Sequence, residues 1–180
     1  MVDARVVDTN VLIVASAADD GSPFRPEATP VEEAHLRQRV LEWLIGFEND
    51  KQNHIVLDGG LILDEYGNKL TEQDYGLLVV LKKINQGHVI WVQIHKDLDG
   101  HAVLPVALDC AMTDRADRKM VAGVLAAQRD SNVLRCMLTN ACDTDWLECA
   151  EALKGHGVEV EHLLEEWLQA KWKTTKQRRA

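Results

Sequence analysis

The acids of this chain fall at places where they could work together. Asp8 closes an apolar run, residues 4–8, and is followed at once by Thr9 and Asn10. Asp64 and Glu65 come shortly after a second apolar run, 54–58. Asp114 and Asp117 stand three apart at the head of an Ala-rich segment, so they share one helical face. Asn140, Asp143 and Asp145 follow a further apolar run, 132–139. Each of these has a plainer role. Asp8, Thr9 or Asn10 suits a helix cap, as does Asp143 or Thr144, and Asp114 and Asp117 suit a helix N-terminus. Glu65 suits an exposed helical position. Four separate segments bringing acids to one place have another meaning. Clustered carboxylates repel unless a proton or a cation separates them. Hard oxygen donors of this kind suit Mg²⁺ or Mn²⁺, and the chemistry expected is that of a divalent-metal site.

Such a site needs elements that end at one edge. Strand-like runs are expected at 4–8, 54–58, 88–94 and 132–139, with an irregular one at 103–108 and a brief one at 158–160. Helical patterns lie between them, at 10–17, 59–68, 114–130, 144–155 and 162–176. One further helix is expected to open with Thr29 as cap and Pro30 at its first position, its apolar face formed by Leu36, Val40, Trp43, Leu44 and Phe47. Another is expected from Thr71. Strands alternating with helices give an α/β fold. Its form would be a three-layer α/β/α arrangement around a central, mostly parallel sheet, with right-handed crossovers. Functional sites of such sheets form beyond the carboxyl ends of the strands, where the acids fall.

Composition bounds the rest. The 180 residues hold 20 Lys and Arg against 29 Asp and Glu, a net charge of −9, and 46% are hydrophobic. That excludes a disordered, collagen-like or disulfide-scaffold chain. The length predicts one main domain, residues 1–162, with a Pro-rich loop at 19–30 and an irregular insertion at 95–113. A helix and basic tail follow at 163–180. None of the four cysteines forms a CxxC pair, which reads as reduced thiols. No apolar stretch approaches the roughly 20 residues of a membrane span. The N-terminus lacks the pattern of a signal peptide, so a cytoplasmic protein without membrane contact is expected. The charge is uneven. From Trp167 onward there is no acid, and Lys171, Lys173, Lys176, Arg178 and Arg179 contribute +5, which leaves −14 on the remainder. A basic end on an acidic body suits a phosphate-contacting arm or a solvated helix end.

The residues at the four positions resemble the motifs of PIN-domain nucleases. Val6-Val7-Asp8-Thr9-Asn10-Val11-Leu12-Ile13 resembles the opening motif, and Leu63-Asp64-Glu65-Tyr66 the second acid on a short helix. Asp117-Arg118-Lys119-Met120-Val121-Ala122 resembles the third, and Thr139 through Trp146 the fourth. Order and spacing match over roughly residues 4–160. The resemblance implies a catalytic, metal-holding set of Asp8, Glu65, Asp117 and Asp143. Asp114 and Asp145 would be neighbouring acids, and Thr9, Asn10 and Asn140 hydrogen-bonding supports. It implies a phosphodiester hydrolase that uses Mg²⁺ or Mn²⁺ to activate water, with RNA favoured over DNA as substrate. Arg115, Arg118, Lys119, Lys171 and Lys173 are the candidate nucleic-acid contacts. A free nuclease would be harmful, so a partner is expected: an antitoxin, a defence-system subunit or a second copy of the chain. The chain would then be the toxin or effector of such a system.

Other readings compete. A haloacid-dehalogenase-type phosphatase requires a second Asp where Asn10 stands. A phosphotransfer receiver domain requires a lysine after a late strand, for which no counterpart is found. A PIN-like scaffold without catalysis would be expected to have lost at least one acid, and all four are present.

Overall fold

Four apolar runs and one short, mostly polar strand pair into one sheet. The computed structural model describes residues 1–179, except the side chains of Arg178 and Arg179; these side chains and Ala180, all part of the 163–180 tail, lie outside the described residues. Strand β1 (Val2–Val7) pairs in parallel with β2 (Asn53–Asp58) on one side. β3 (Val89–Val92) extends the sheet beyond β2. β4 (Val133–Asn140) flanks β1 on its other side, and β5 (Glu159–His162) lies beyond it. The order is β3-β2-β1-β4-β5, and every pairing is parallel. Val6 and Val7 are neighbours on β1, and neither is exposed to solvent. A central strand of a parallel sheet is covered on both faces and loses the alternation of a half-buried one.

The helices are α1 (Thr9–Ser16), α2 (Ala34–Asn49), α3 (Leu61–Lys69), α4 (Tyr75–Asn85), α5 (Val106–Ala111), α6 (Arg118–Ala127), α7 (Asp145–Glu148), α8 (Ala150–Gly155) and α9 (Glu165–Arg179). α1, α2 and α4 pack against one another, while α6 lies across β1 to β4 with α3 beside it. The fold is therefore the expected α/β type, an all-parallel sheet flanked by helices in three layers. Among the described residues no helix is long and apolar enough to cross a membrane.

Several boundaries differ from expectation for one reason: residues of cap type close local turns before the helix begins. Thr29 is buried, and its hydroxyl accepts the Val31 amide at 3.3 Å. Arg37 reaches back to the carbonyls of Val31 (2.9 Å) and Glu32 (2.7 Å). This holds the chain out of the helix until Ala34, and within the loop 19–30 only Pro26–Ala28 make a 3₁₀ turn. Asp74 accepts the amide and hydroxyl of Thr71 at 2.7 and 2.9 Å, so α4 begins at Tyr75. Asp114 accepts the Ala116 amide at 2.7 Å, and α6 begins at Arg118. The strand expected at 103–108 is absent. Instead Lys96 and Ala102 form an antiparallel bridge around Gly100, whose φ of 86° favours glycine, and α5 follows Pro105. The helix expected over 144–155 breaks at Cys149 into α7 and α8.

α1 and α4 approach most closely at Gly76. A Cβ placed there would lie 2.6 Å from the Leu12 carbonyl oxygen and 2.9 Å from its Cα. Backbone cannot yield as a flexible side chain does, so Gly76→Ala is expected to destabilise the fold by about 1–3 kcal/mol. Gly46, in α2, has nothing within 4 Å of the same position. Gly46→Ala is expected to be neutral or to stabilise by up to about 1 kcal/mol. Urea denaturation of the two variants checks the contrast.

Candidate active site

The strand order reverses between β1 and β4, the point beyond whose carboxyl ends a site is expected in such a sheet. Asp8 is the first residue past β1. Its amide donates to the Thr139 carbonyl at 2.9 Å and carries the β1–β4 pairing one residue further. Its side chain caps α1, with one oxygen accepting the Asn10 amide at 3.1 Å. The other oxygen accepts the Trp146 indole N–H at 2.6 Å. Asp8 is buried, and burial foremost pushes its carboxyl from 3.8 up to about 7. Asp143 and Glu65 push it the same way, against the pull of the two donors.

Asn10 fastens the loop that carries Asp143. Its side-chain oxygen accepts the amides of Ala141 (2.8 Å) and Cys142 (3.2 Å), and its nitrogen donates to the Asn140 side chain at 3.1 Å. Asn140, fully buried, accepts the Asp143 amide at 3.0 Å and donates to the Asp143 carbonyl at 2.9 Å. It also meets His162 Nδ1 at 3.0 Å, which joins β5 to the same network. The Asp143 carboxylate accepts the Asp145 amide at 2.9 Å.

The other acids come from α3 and from the residue before α6. Asp117 precedes α6 and is half-buried. Burial first, then the charges of Asp8, Asp143 and Asp114, raise its carboxyl to about 8, while Lys119 pulls it down. Asp117 shares a narrow crevice with Asp114, Asp145, Trp146 and Glu148. Glu65, on α3, accepts the Thr9 hydroxyl and forms an ion pair with Lys119. Thr9 thus supports Glu65, whereas Asn10 and Asn140 support Asp143.

The acids therefore act on one another electrostatically, but they are not arranged as ligands. Among the described residues no group of three or more His, Cys, Asp or Glu side chains is set to hold a metal ion. The reasons are local. Both oxygens of Asp8 are engaged by protein donors, and Glu65 is turned to Thr9 and Lys119. The donor chemistry still fits a divalent cation. The set is all carboxylate, and two of its members resist ionisation because they are buried among like charges.

The expected phosphate contacts are differently disposed. Lys119 is buried on Glu65 and the Ala116 carbonyl. Arg118 is also buried, paired with the Asp109 carboxylate at 2.6 Å and its carbonyl at 3.1 Å, which ties α6 to α5. Neither presents its charge on the surface. Arg115 is exposed, 3.9 Å from Asp99. Lys171 lies over the Trp167 ring, and Lys173 is exposed.

Sequence reasoning missed three contributors. Trp146 reads as a core aromatic, and it is buried, but its indole also orients Asp8. On its far side Trp146 helps line a cavity of about 530 Å³ with Met137, Leu153, Val158 and His162. The Tyr66 hydroxyl donates to the Val7 carbonyl and fastens α3 to the end of β1. Asp58, at the end of β2, is spent on capping α3 through the amides of Leu61 (2.9 Å) and Ile62 (2.7 Å). The acid at its strand end was the only signal for Asp58. No family model, curated protein or solved structure matches this chain.

Two measurements test this network. Asn10→Ala leaves the amides of Ala141 and Cys142 without their acceptor, and a loss of about 1–3 kcal/mol is expected, with faster amide exchange at those two residues. The raised carboxyls give the second. Folded Asp8 and Asp117 hold protons up to about pH 7 and 8, against 3.8 for an ordinary aspartate. Between these values the folded state binds more protons than the unfolded one, so stability falls as pH rises. In EDTA the urea midpoint of the wild type is expected to drop from pH 5 to pH 8. Asp117→Asn should flatten that slope.

Proposed function

We propose that this chain is a divalent-metal-dependent phosphodiester hydrolase that cuts single-stranded RNA. The observation that carries the reading is the gathering of Asp8, Asp117, Asp143 and Glu65 within electrostatic reach of one another past the ends of β1 and β4, with Asp8 and Asp117 held up to about 7 and 8. The motif resemblance to PIN-domain nucleases supports it, and the preference for RNA comes from that resemblance. Asp8, Asp117 and Asp143 would hold Mg²⁺ or Mn²⁺, with Glu65 beside them. When bound, the ion supplies an activated water and neutralises phosphate charge. The chain's own residues prepare the place. Trp146 fixes the direction of the Asp8 carboxylate, and Asn10 with Asn140 fixes the height of the Asp143 loop. Lys119, buried beside Glu65, neutralises that carboxylate within an otherwise acidic edge. Control by an antitoxin, a defence-system subunit or a second copy belongs to the same proposal.

A second reading is a PIN-like scaffold without catalysis. The closure of Glu65 onto Thr9 and Lys119 favours it. Cleavage of labelled single-stranded RNA and DNA in Mg²⁺, Mn²⁺ or EDTA separates the two. The hydrolase reading expects metal-dependent cleavage, with 5′-phosphate and 3′-hydroxyl ends. Asp8→Asn should lower the rate by about 100-fold or more, since even residues that only support a ligand are worth 10–100-fold. Products with 2′,3′-cyclic phosphate would overturn it. Cleavage of neither polymer by a folded protein would leave the scaffold.

A further inference from the structure

We propose that α9 is a docking arm for single-stranded nucleic acid, which it leads to the acidic edge; the inference rests on the hydrolase reading above. α9 starts at that edge. β5 is parallel to the other strands and ends at His162, which touches the Asn140 amide, and the next amide, Leu163, donates to the Asn140 carbonyl at 2.9 Å. Leu163, Leu164 and Leu168 are buried and seat the root of the helix in the core. Beyond Glu166 the chain carries no acid, and the +5 from Trp167 onward stands against −14 on the rest. A polyanion is repelled by such a body and drawn to such an arm.

The arm offers more than charge. The Lys171 ammonium lies 4.7 Å from the centre of the Trp167 ring, and that of Lys176 lies 3.9 Å from Trp172. Trp172 also holds a buried indole N–H without a hydrogen-bond partner. Each is an i, i+4 pair of a cation and an indole, and such pairs suit a single strand, whose phosphates meet the ammonium groups while its unstacked bases meet the rings. A duplex offers only its phosphates to the same surface. Lys171 is also near enough to Cys142, the residue before Asp143, for its charge to act on that thiol.

The test is binding without cleavage. Fluorescence anisotropy of a labelled oligouridine in EDTA compares the full chain with Lys171→Gln/Lys173→Gln/Lys176→Gln and with the matching Arg triple variant. Circular dichroism and thermal melts check that each is folded. The Gln variant is expected to bind at least about 10-fold more weakly at low salt. Its slope of log affinity against log salt should fall by about 2, at roughly 0.7 per single-strand phosphate contact. The Arg variant should bind as the wild type does. Trp172→Phe, which keeps an aromatic ring, should bind nearly as well as the wild type, and Trp172→Ala about 10-fold worse at the same slope. Three results would overturn the proposal: unchanged binding by the Gln variant, tighter binding of a duplex of equal length, or binding of anionic lipid vesicles in place of the oligouridine. Because binding is read in EDTA, its failure is separate from that of the hydrolase reading. If Asp8→Asn leaves cleavage intact, the hydrolase falls; if the Gln variant binds normally, the arm falls.

Discussion

The burial of Asp8 is the constraint around which this end of the molecule is built. A carboxylate placed between the two central strands of a parallel sheet loses most of its water, and an uncompensated charge there is costly. Two donors compensate it in part, the Asn10 amide and the Trp146 indole. They come from opposite ends of the sequence, one from the first turn of α1 and one from the short helix α7. Both elements must be docked for the carboxylate to be tolerated. The compensation is incomplete, since burial first, and then the neighbouring acids Asp143 and Glu65, still raise its carboxyl to about 7. A residue that is poorly satisfied in an otherwise well-packed core is where function is expected to override stability.

The acids around it are balanced in different ways. Glu65 has a cation of its own in Lys119, and a buried pair of that kind is costly to break because it strands a charge. Asp143 has no comparable cation among its hydrogen bonds and is positioned through its backbone by Asn140. Asp117 is raised to about 8 by burial first and then by three neighbouring carboxylates, with one lysine opposing them. The edge thus runs from a neutralised corner at Glu65 to an electrostatically open one at Asp117. Arg118, next in sequence to Asp117, spends its charge on Asp109 and so joins the 95–113 insertion to α6.

Much of the fold was legible because parallel α/β architecture writes itself in short apolar runs. Val6 and Val7 on β1, Ile55 to Leu57 on β2 and Leu138 on β4 are fully buried, and each run ends near a polar group that can turn the chain. Helix starts were less legible. Thr29, Thr71 and Asp114 have the chemistry of helix caps, yet each takes part in a turn two to three residues wide, and the helix begins later. A hydroxyl or carboxylate stabilises either arrangement, and tertiary packing chooses between them. The supports at Asn10 and Asn140 were legible as polar residues at strand ends. The partners of the acids were not. Trp146 to Asp8, Lys119 to Glu65 and Tyr66 to Val7 are pairings across 54 to 138 positions, and no local pattern encodes them.

That separation has a consequence for how the site comes into being. The contacts of Asn10 with residues 140–142 and of Trp146 with Asp8 bridge 130 to 138 positions, close to the whole span from β1 to α7. No shorter stretch of the chain contains both halves. During synthesis Asp8 emerges with the Asn10 amide but without the Trp146 indole, and Glu65 emerges without Lys119; contacts of this reach form late because a long loop must close first. The full set of partners of Asp8 therefore exists only once β4 has paired with β1 and α7 has docked.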